Sequence, residues 1–458
     1  MDNESILLPE ALLKRLRTQL GDEFDPFLKS LDTPSPTSIR LNPGKFSNRF
    51  SDARTVLWEK SGRYLAQRPR FTSDPLFHAG TYYVQEASSM FLGYLIPRVI
   101  DLDRSLKVLD LSSAPGGKAT HLQSLISNDS LLVANEVISS RNKILRQNLA
   151  RWGKDNHIVT QSDPKYFRKL PDFFDLILVD APCSGEGLIR KDPEARNEWS
   201  EDNVNLCSRR QKRILADIVP SLAPGGVLLY STCTFSESEN EENMEWLIEE
   251  SGLDPIAIDL PPDWKILTSG QHQAGYRFYP HRIQGEGFFI AAFQKSEFVE
   301  QKPKRTKRST RPRPTSPATH EDRRWLENED RYVFMDREQH RSAIPKTIFE
   351  DYQKISQVLR ITYAGLYLGK VYHGKLKPSP ELALSQYLSR GVKRLELDDE
   401  FALNYLAHMD HGIKEVPASG FHLVTHQGHG LGWIHVLETG QIRNKYPAAW
   451  RILQRYVK

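Results

Sequence analysis

Short apolar runs recur through the middle of this chain, and each is followed by a stretch with helical periodicity. They fall at 108–111 (VLDL), 131–134 (LLVA), 157–159 (HIV), 176–179 (LILV) and 227–230 (VLLY). Strands that are apolar on both faces belong to a parallel sheet covered by helices. Between them, SSRNKILRQNLARWG places Ile144, Leu145 and Leu149 on one helical side. NVNLCSRRQKRILADIV likewise aligns Val204, Cys207, Ile214 and Ile218, so Cys207 reads as a small core residue. IAIDL at 256–260 and GEGFFIAAFQ at 285–294 predict a sixth and a seventh strand. SESENEENMEWLIEE opens a helix with Ser236 and Glu239 at capping-box spacing. This alternation predicts a doubly wound α/β domain over residues 76–295.

The flanks read differently. Residues 1–75 form an α+β extension: LPEALLKRLRTQL sets Leu12, Leu13, Leu16 and Leu20 at helical spacing, and SIRLNP is a short strand carrying Arg40, read as a solvated surface residue. The aromatic-rich stretch DPLFHAGTYYVQEASSMFLGYLI reads as core. Residues 296–324 are a basic, proline-rich linker, with seven basic and no acidic residues in Lys302–Arg313. Residues 325–458 read as a further, β-rich module in which GFHLVTHQGHGLGWIHV alternates apolar runs with glycine turns. Charge then adds a direction. The net charge is only +4, but the pI near 8.7 and the basic linker favour an anionic partner such as RNA. Mean hydropathy of −0.52 and the lack of any run of about 18 apolar residues exclude a membrane span. Three cysteines without CxxC or zinc spacing point to no metal, no disulfide framework and a reducing cytoplasm.

The candidate chemistry sits where the strands end. The first strand runs into Ser112, Ser113, Ala114, Pro115, Gly116, Gly117 and Lys118, a glycine turn that lacks both the GxGxxG and the Walker pattern. Glu136 ends the second strand, where an acid accepts hydrogen bonds from ribose hydroxyls, and Asp163 ends the third, within reach of an adenine amino group. A nucleoside without a pyrophosphate fits this set, and S-adenosylmethionine is such a ligand. Cys183 (in DAPCSGE, after Asp180) and Cys233 (in STCT) each follow a buried strand directly. Two thiols converging on one rim without a redox CxxC suit covalent activation of a cytosine: a thiolate adds at C6, C5 attacks a sulfonium methyl, and a base removes the C5 proton. Asp180 is placed to contact N3, and Lys118 to hold the base or offset charge near the thiols. Spacing leaves open which thiol adds. A nicotinamide dehydrogenase, a non-catalytic RNA-binding protein and a cysteine hydrolase are the rival readings. The first has no use for two rim cysteines, the second none for any thiol, and the third leaves Glu136 and Asp163 unexplained.

LSSAPGGKATHL, DAPCSGEGLIRKDPEA, STCTFSESENEENM and RFYPHRIQGEGFF together resemble the motif set of the Sun-type RNA (cytosine-5) methyltransferases, and PTSIRLNP and FHAGTYYVQEASSM resemble its N-terminal part. The likeness covers roughly residues 30–295. With LGWIHV and KYP near the C-terminus, the arrangement is most similar to bacterial RsmF-type rRNA enzymes. The resemblance implies a Rossmann-like methyltransferase sheet of seven strands, the last antiparallel, with a PUA-like RNA-binding module at 325–458. It implies Cys233 as nucleophile and Cys183 as the thiol that assists product release. It maps the S-adenosylmethionine site to Ser112–Lys118, Glu136, Asp163 and Asp180. Small-subunit rRNA is the implied target, with tRNA the alternative, a ribosomal subunit the candidate partner and a monomer the expected state. The chain departs from the family at Ser112–Ser113, where Cys-Ala or Ala-Ala is usual, and at Ala119, where threonine often stands.

Overall fold

The computed structural model describes residues 8–192, 194–296, 315–317, 319–409, 413 and 418–453. The basic stretch Lys302–Arg313 lies outside the described residues. We number the strands of the central sheet β1 (Lys107–Asp110), β2 (Leu131–Asn135), β3 (His157–Thr160), β4 (Phe174–Asp180), β5 (Leu222–Thr232), β6 (Gly275–Phe278), β7 (Phe288–Lys295) and β8 (Ile361–Ala364). Their order is β6-β7-β5-β4-β1-β2-β3-β8, with Leu267–Ser269 beyond β6. β1 to β5 are mutually parallel, whereas β7 runs antiparallel to both β5 and β6. Alternate residues of each strand face opposite sides. Val108, Leu132, Leu176 and Leu178 enter one core, and Leu109, Val133, Ile177 and Val179 the other.

The five parallel strands and the antiparallel β7 match the sequence expectation. The predicted strand at 256–260 does not form. β6, unrecognised in the sequence, occupies the edge of β7 opposite Phe288–Ala291, so Leu253–Pro255 pairs with Phe293–Lys295 and the contact ends with the Ile256 N–H donating to the Ala292 carbonyl at 2.8 Å. In the helix Ser139–Trp152, Leu145 and Leu149 are buried, whereas Ile144 is 48% exposed, one position outside the apolar stripe. Cys207 is buried on the inner face of Glu201–Ile218, as its spacing indicates.

The N-terminal sheet, ordered Thr55–Val56, Glu59–Leu65, Thr37–Leu41 and Tyr82–Val84, crosses the expected boundary at 75. Arg40 is no surface residue. It is fully buried, stacks 4.4 Å over Trp152, and donates to Gln85 Oε1 at 2.8 Å and Thr120 Oγ1 at 2.7 Å. The N-terminal extension is thereby bolted to the helix Gly117–Leu125 that follows the glycine turn.

Part of the region beyond 325 packs on the central sheet. β8 pairs antiparallel with β3 and covers an edge that would otherwise be open. The helix Lys346–Ile355 buries Ile348, Tyr352 and Ile355 in the same core as β1 and β4. Beyond lie a four-stranded sheet over 332–378 and a second over 394–444. The latter holds the hairpin Gly420–His426/His429–Val436, turned at Gln427 and Gly428, both at positive φ. No helix among the described residues is long and apolar enough to cross a membrane.

Candidate active site

β1 ends at Asp110 and the chain turns over Leu111–Gly116 into the helix Gly117–Leu125. Gly116 sits at φ 118°, a conformation that strains any residue with a Cβ. The turn is held from its side: Arg141 donates to the Ala114 carbonyl at 2.8 Å, and Asn148 to the Pro115 carbonyl at 2.8 Å. Ser113 Oγ donates to the Asp110 carbonyl at 2.9 Å. Glu136 lies just past β2, 3% exposed, and accepts the Ile138 N–H at 2.8 Å. Asp163 caps the short turn Pro164–Lys169 through the Lys165 N–H.

Asp180 and Ser231 are register partners at the ends of the neighbouring strands β4 and β5. The chain beyond each returns a cysteine to the same point, so Cys183 Sγ and Cys233 Sγ lie 2.8 Å apart, both as free thiols. The Cys233 N–H also donates to Cys183 Sγ at 3.2 Å. The hydrogen bond with Cys233, together with burial, pushes the Cys183 thiol well above its ordinary range, so it keeps its proton at neutral pH. Asp180 accepts Lys118 Nζ and Ser231 Oγ, each at 2.8 Å. Burial disfavours the charge on Lys118, but Asp180, with Asp110 and Cys233 adding to it, holds the ammonium above its usual range. Asp110 is fully buried at the end of β1. Burial, with Asp180 adding to it, pushes its carboxyl up to about 7.

One cavity of about 690 Å³ joins these groups. Ser112, Ala114, Glu136, Asp163, Asp180, Cys183 and Cys233 all line it. Ser113, Pro115, Gly116, Gly117 and Lys118 stand behind the wall. Gly117 faces Tyr83, and Lys118 reaches the site through Asp180. The glycines therefore shape the turn rather than open the backbone to a ligand.

The support under the thiols was not legible. Glu239 does not complete a capping box with Ser236; its carboxylate is buried under the Cys183 loop. It accepts Ser184 N–H at 3.0 Å, Ser184 Oγ at 2.5 Å and Gln211 Nε2 at 2.9 Å, and burial raises its pKa. Ser184 in turn meets Thr234 at 2.9 Å, tying the two cysteine loops together. The loops also meet where the Gly187 N–H donates to the Cys233 carbonyl at 2.8 Å. The spacing of Glu239 fitted a helix cap, and nothing in the sequence links it to residue 184. Arg360 lines the cavity from the C-terminal part and carries no local motif either.

Three family models match the chain. The model for 16S rRNA methyltransferase RsmB/F covers residues 98–294, that for the N-terminal domain of 16S rRNA methyltransferase RsmF residues 8–87, and that for the methyltransferase RsmF PUA domain residues 392–452. The ribosomal RNA small subunit methyltransferase F of Aliivibrio fischeri (strain MJ11) is 34% identical over 347 residues, which is 71% of this chain and 72% of the relative. That of Aeromonas salmonicida is 37% identical over 60% of this chain and 61% of its own length. Among solved structures, a methyltransferase homolog protein from Pyrococcus horikoshii superposes with a TM-score of 0.53 at 30% identity, over 63% of this chain and 100% of that one. NSun6 from Pyrococcus horikoshii, solved with SFG, shares the fold at 22% identity and a TM-score of 0.53, over 63% of this chain and 98% of that one. The doubly wound sheet with its N-terminal and PUA domains, and a relative matched over most of its length, place this chain in the family of the ribosomal RNA small subunit methyltransferases F.

Proposed function

We propose that this chain transfers a methyl group from S-adenosylmethionine to C5 of a cytosine in small-subunit ribosomal RNA, through a transient Cys233–C6 bond. The observation that carries the reading is the meeting of two free thiols beside Asp180, in one cavity with Glu136 and Asp163. The cavity volume is in the range of small-molecule sites. S-adenosylmethionine bound there supplies a methyl group on a positive sulfur. Glu136 would accept hydrogen bonds from the ribose hydroxyls and Asp163 one from the adenine amino group. As Cys233 forms its bond to C6, the thiol proton is taken up at N3, whose N–H then donates to the Asp180 carboxylate, and the resulting enamine makes C5 nucleophilic. After transfer a base removes the C5 proton, and that electron pair expels Cys233 and restores the ring. Cys183, kept protonated beside the departing sulfur, assists this release. The PUA-family region and the exposed Arg210 and Arg213 favour RNA as the substrate, with a ribosomal subunit in the cytoplasm as partner.

The decisive test is transfer of labelled methyl from S-adenosylmethionine to ribosomal RNA, mapped by bisulfite sequencing; product without 5-methylcytosine overturns the reading. Glu136→Ala should weaken S-adenosylmethionine binding by about 1–3 kcal/mol, through lost charge-assisted hydrogen bonds, as read by calorimetry. A second expectation concerns Arg210 and Arg213, exposed on the helix Glu201–Ile218 at the cavity mouth. As phosphate contacts they should each, when changed to alanine, raise KM for RNA and reduce the salt slope of binding by about 1, leaving kcat near wild type.

A further inference from the structure

Resting on the cofactor reading above, we infer that Arg360 is a cofactor-binding residue, so that the S-adenosylmethionine site is assembled from both sides of the basic linker. Arg360 immediately precedes β8 and lines the same cavity as Glu136 and Asp163. Its backbone is fixed from two directions: its N–H donates to Ser162 Oγ at 3.0 Å, and its carbonyl accepts the Gln161 N–H at 2.9 Å. Both partners directly precede Asp163. The next residues continue the attachment. Ile361 pairs with Thr160, and Thr362 Oγ1 donates to Asn142 Oδ1 at 2.9 Å. Asn142 in turn donates to the Glu136 carbonyl at 3.2 Å, so the segment carrying Arg360 braces the backbone under both acidic residues of the nucleoside end.

An exposed arginine is ordinarily just solvated. Arg360 differs in having a clamped backbone and a guanidinium that makes no hydrogen bond or ion pair among the described residues while facing a cavity. The sheet order decides which ligand it faces. β8 stands five strand positions from β5, which at roughly 4.8 Å per strand is about 24 Å from the strand that delivers Cys233. Arg360 is therefore at the end of the cavity where adenine lies and remote from the reacting cytosine. A planar guanidinium there can cover the adenine face or donate to a ring nitrogen.

Full-length wild type, Arg360→Ala and Arg360→Lys should be titrated by calorimetry with S-adenosylmethionine and with S-adenosylhomocysteine. Arg360→Ala is expected to weaken both by about tenfold and to the same extent, because the contact is to the shared adenosine and not to the sulfur. The lysine variant should fall between, with the thermal midpoint and cofactor-free RNA binding unchanged. Undiminished affinity in Arg360→Ala overturns the inference, and so does a loss confined to RNA binding, which would assign the arginine to a phosphate. A wild type that binds neither ligand overturns the cofactor reading itself and this inference with it.

Discussion

Cys233→Ser should transfer no methyl group yet still bind RNA. A hydroxyl has a far higher pKa than a thiol and does not add to C6 at neutral pH, while the change removes no charge facing phosphate. Cys183→Ser should fail differently. Addition and transfer still occur on Cys233, but the step that breaks the Cys233–C6 bond is impaired. A covalent protein–RNA adduct should accumulate, dependent on S-adenosylmethionine and visible as a shifted band on a denaturing gel. The double variant should show no adduct, since the bond must form before its release can be blocked. The hydrogen bond with Cys233 and burial push the Cys183 thiol well above its ordinary range, which disfavours Cys183 as the attacking group. Adduct from Cys233→Ser and none from Cys183→Ser would exchange the roles. Full activity in both single variants would remove the covalent mechanism.

The sequence carried the parallel strands because burial on both faces forces continuous apolar runs, which no surface segment needs. It carried the candidate groups for a related reason: Glu136, Asp163, Asp180, Cys183 and Cys233 lie at the ends of such strands or within three residues of them, and the carboxyl ends of a doubly wound sheet share one rim. What it did not carry depends on contacts between distant residues. Arg40 looked like a solvated arginine because its partners, Gln85, Thr120 and Trp152, are brought to it only by the folded extension. Glu239 had correct spacing for a local cap, and the tertiary pull of Ser184 won. β6 is four residues long and was hidden within a motif, so the edge of β7 was assigned to the wrong segment. β8 lies across the linker from its partner β3, and no local pattern announces a pairing over that separation. For the same reason, nothing local announced that residues 344–364, beyond the division at 325, pack with the central sheet; the PUA-family match begins at 392.

Asp180 and Lys118 should behave as one unit. Asp180 holds Lys118 Nζ with one carboxylate oxygen and Ser231 Oγ with the other, so its orientation at the cavity wall is set from both sides. Asp180→Asn keeps the shape but replaces the carboxylate that would accept the protonated N3, and kcat should fall by about 10²–10⁴-fold. Lys118→Met changes a side chain that stands behind the cavity wall and bonds Asp180. It removes the cation that Asp180 holds and that also favours the charged form of the buried Asp110. Removing a nearby positive charge raises a carboxylate pKa. If activity needs ionised Asp180, the acid limb of the pH–rate profile should therefore move to higher pH in Lys118→Met, and activity lost at pH 7 should partly return at pH 8–9. Because both changes disable the same carboxylate, the double variant should be about as impaired as the worse single one, well short of the product of the two effects. Single-turnover rates for the four proteins across pH measure all of this. Multiplicative losses, or a Lys118→Met profile that keeps its wild-type acid limb, would show that the lysine acts elsewhere than through Asp180.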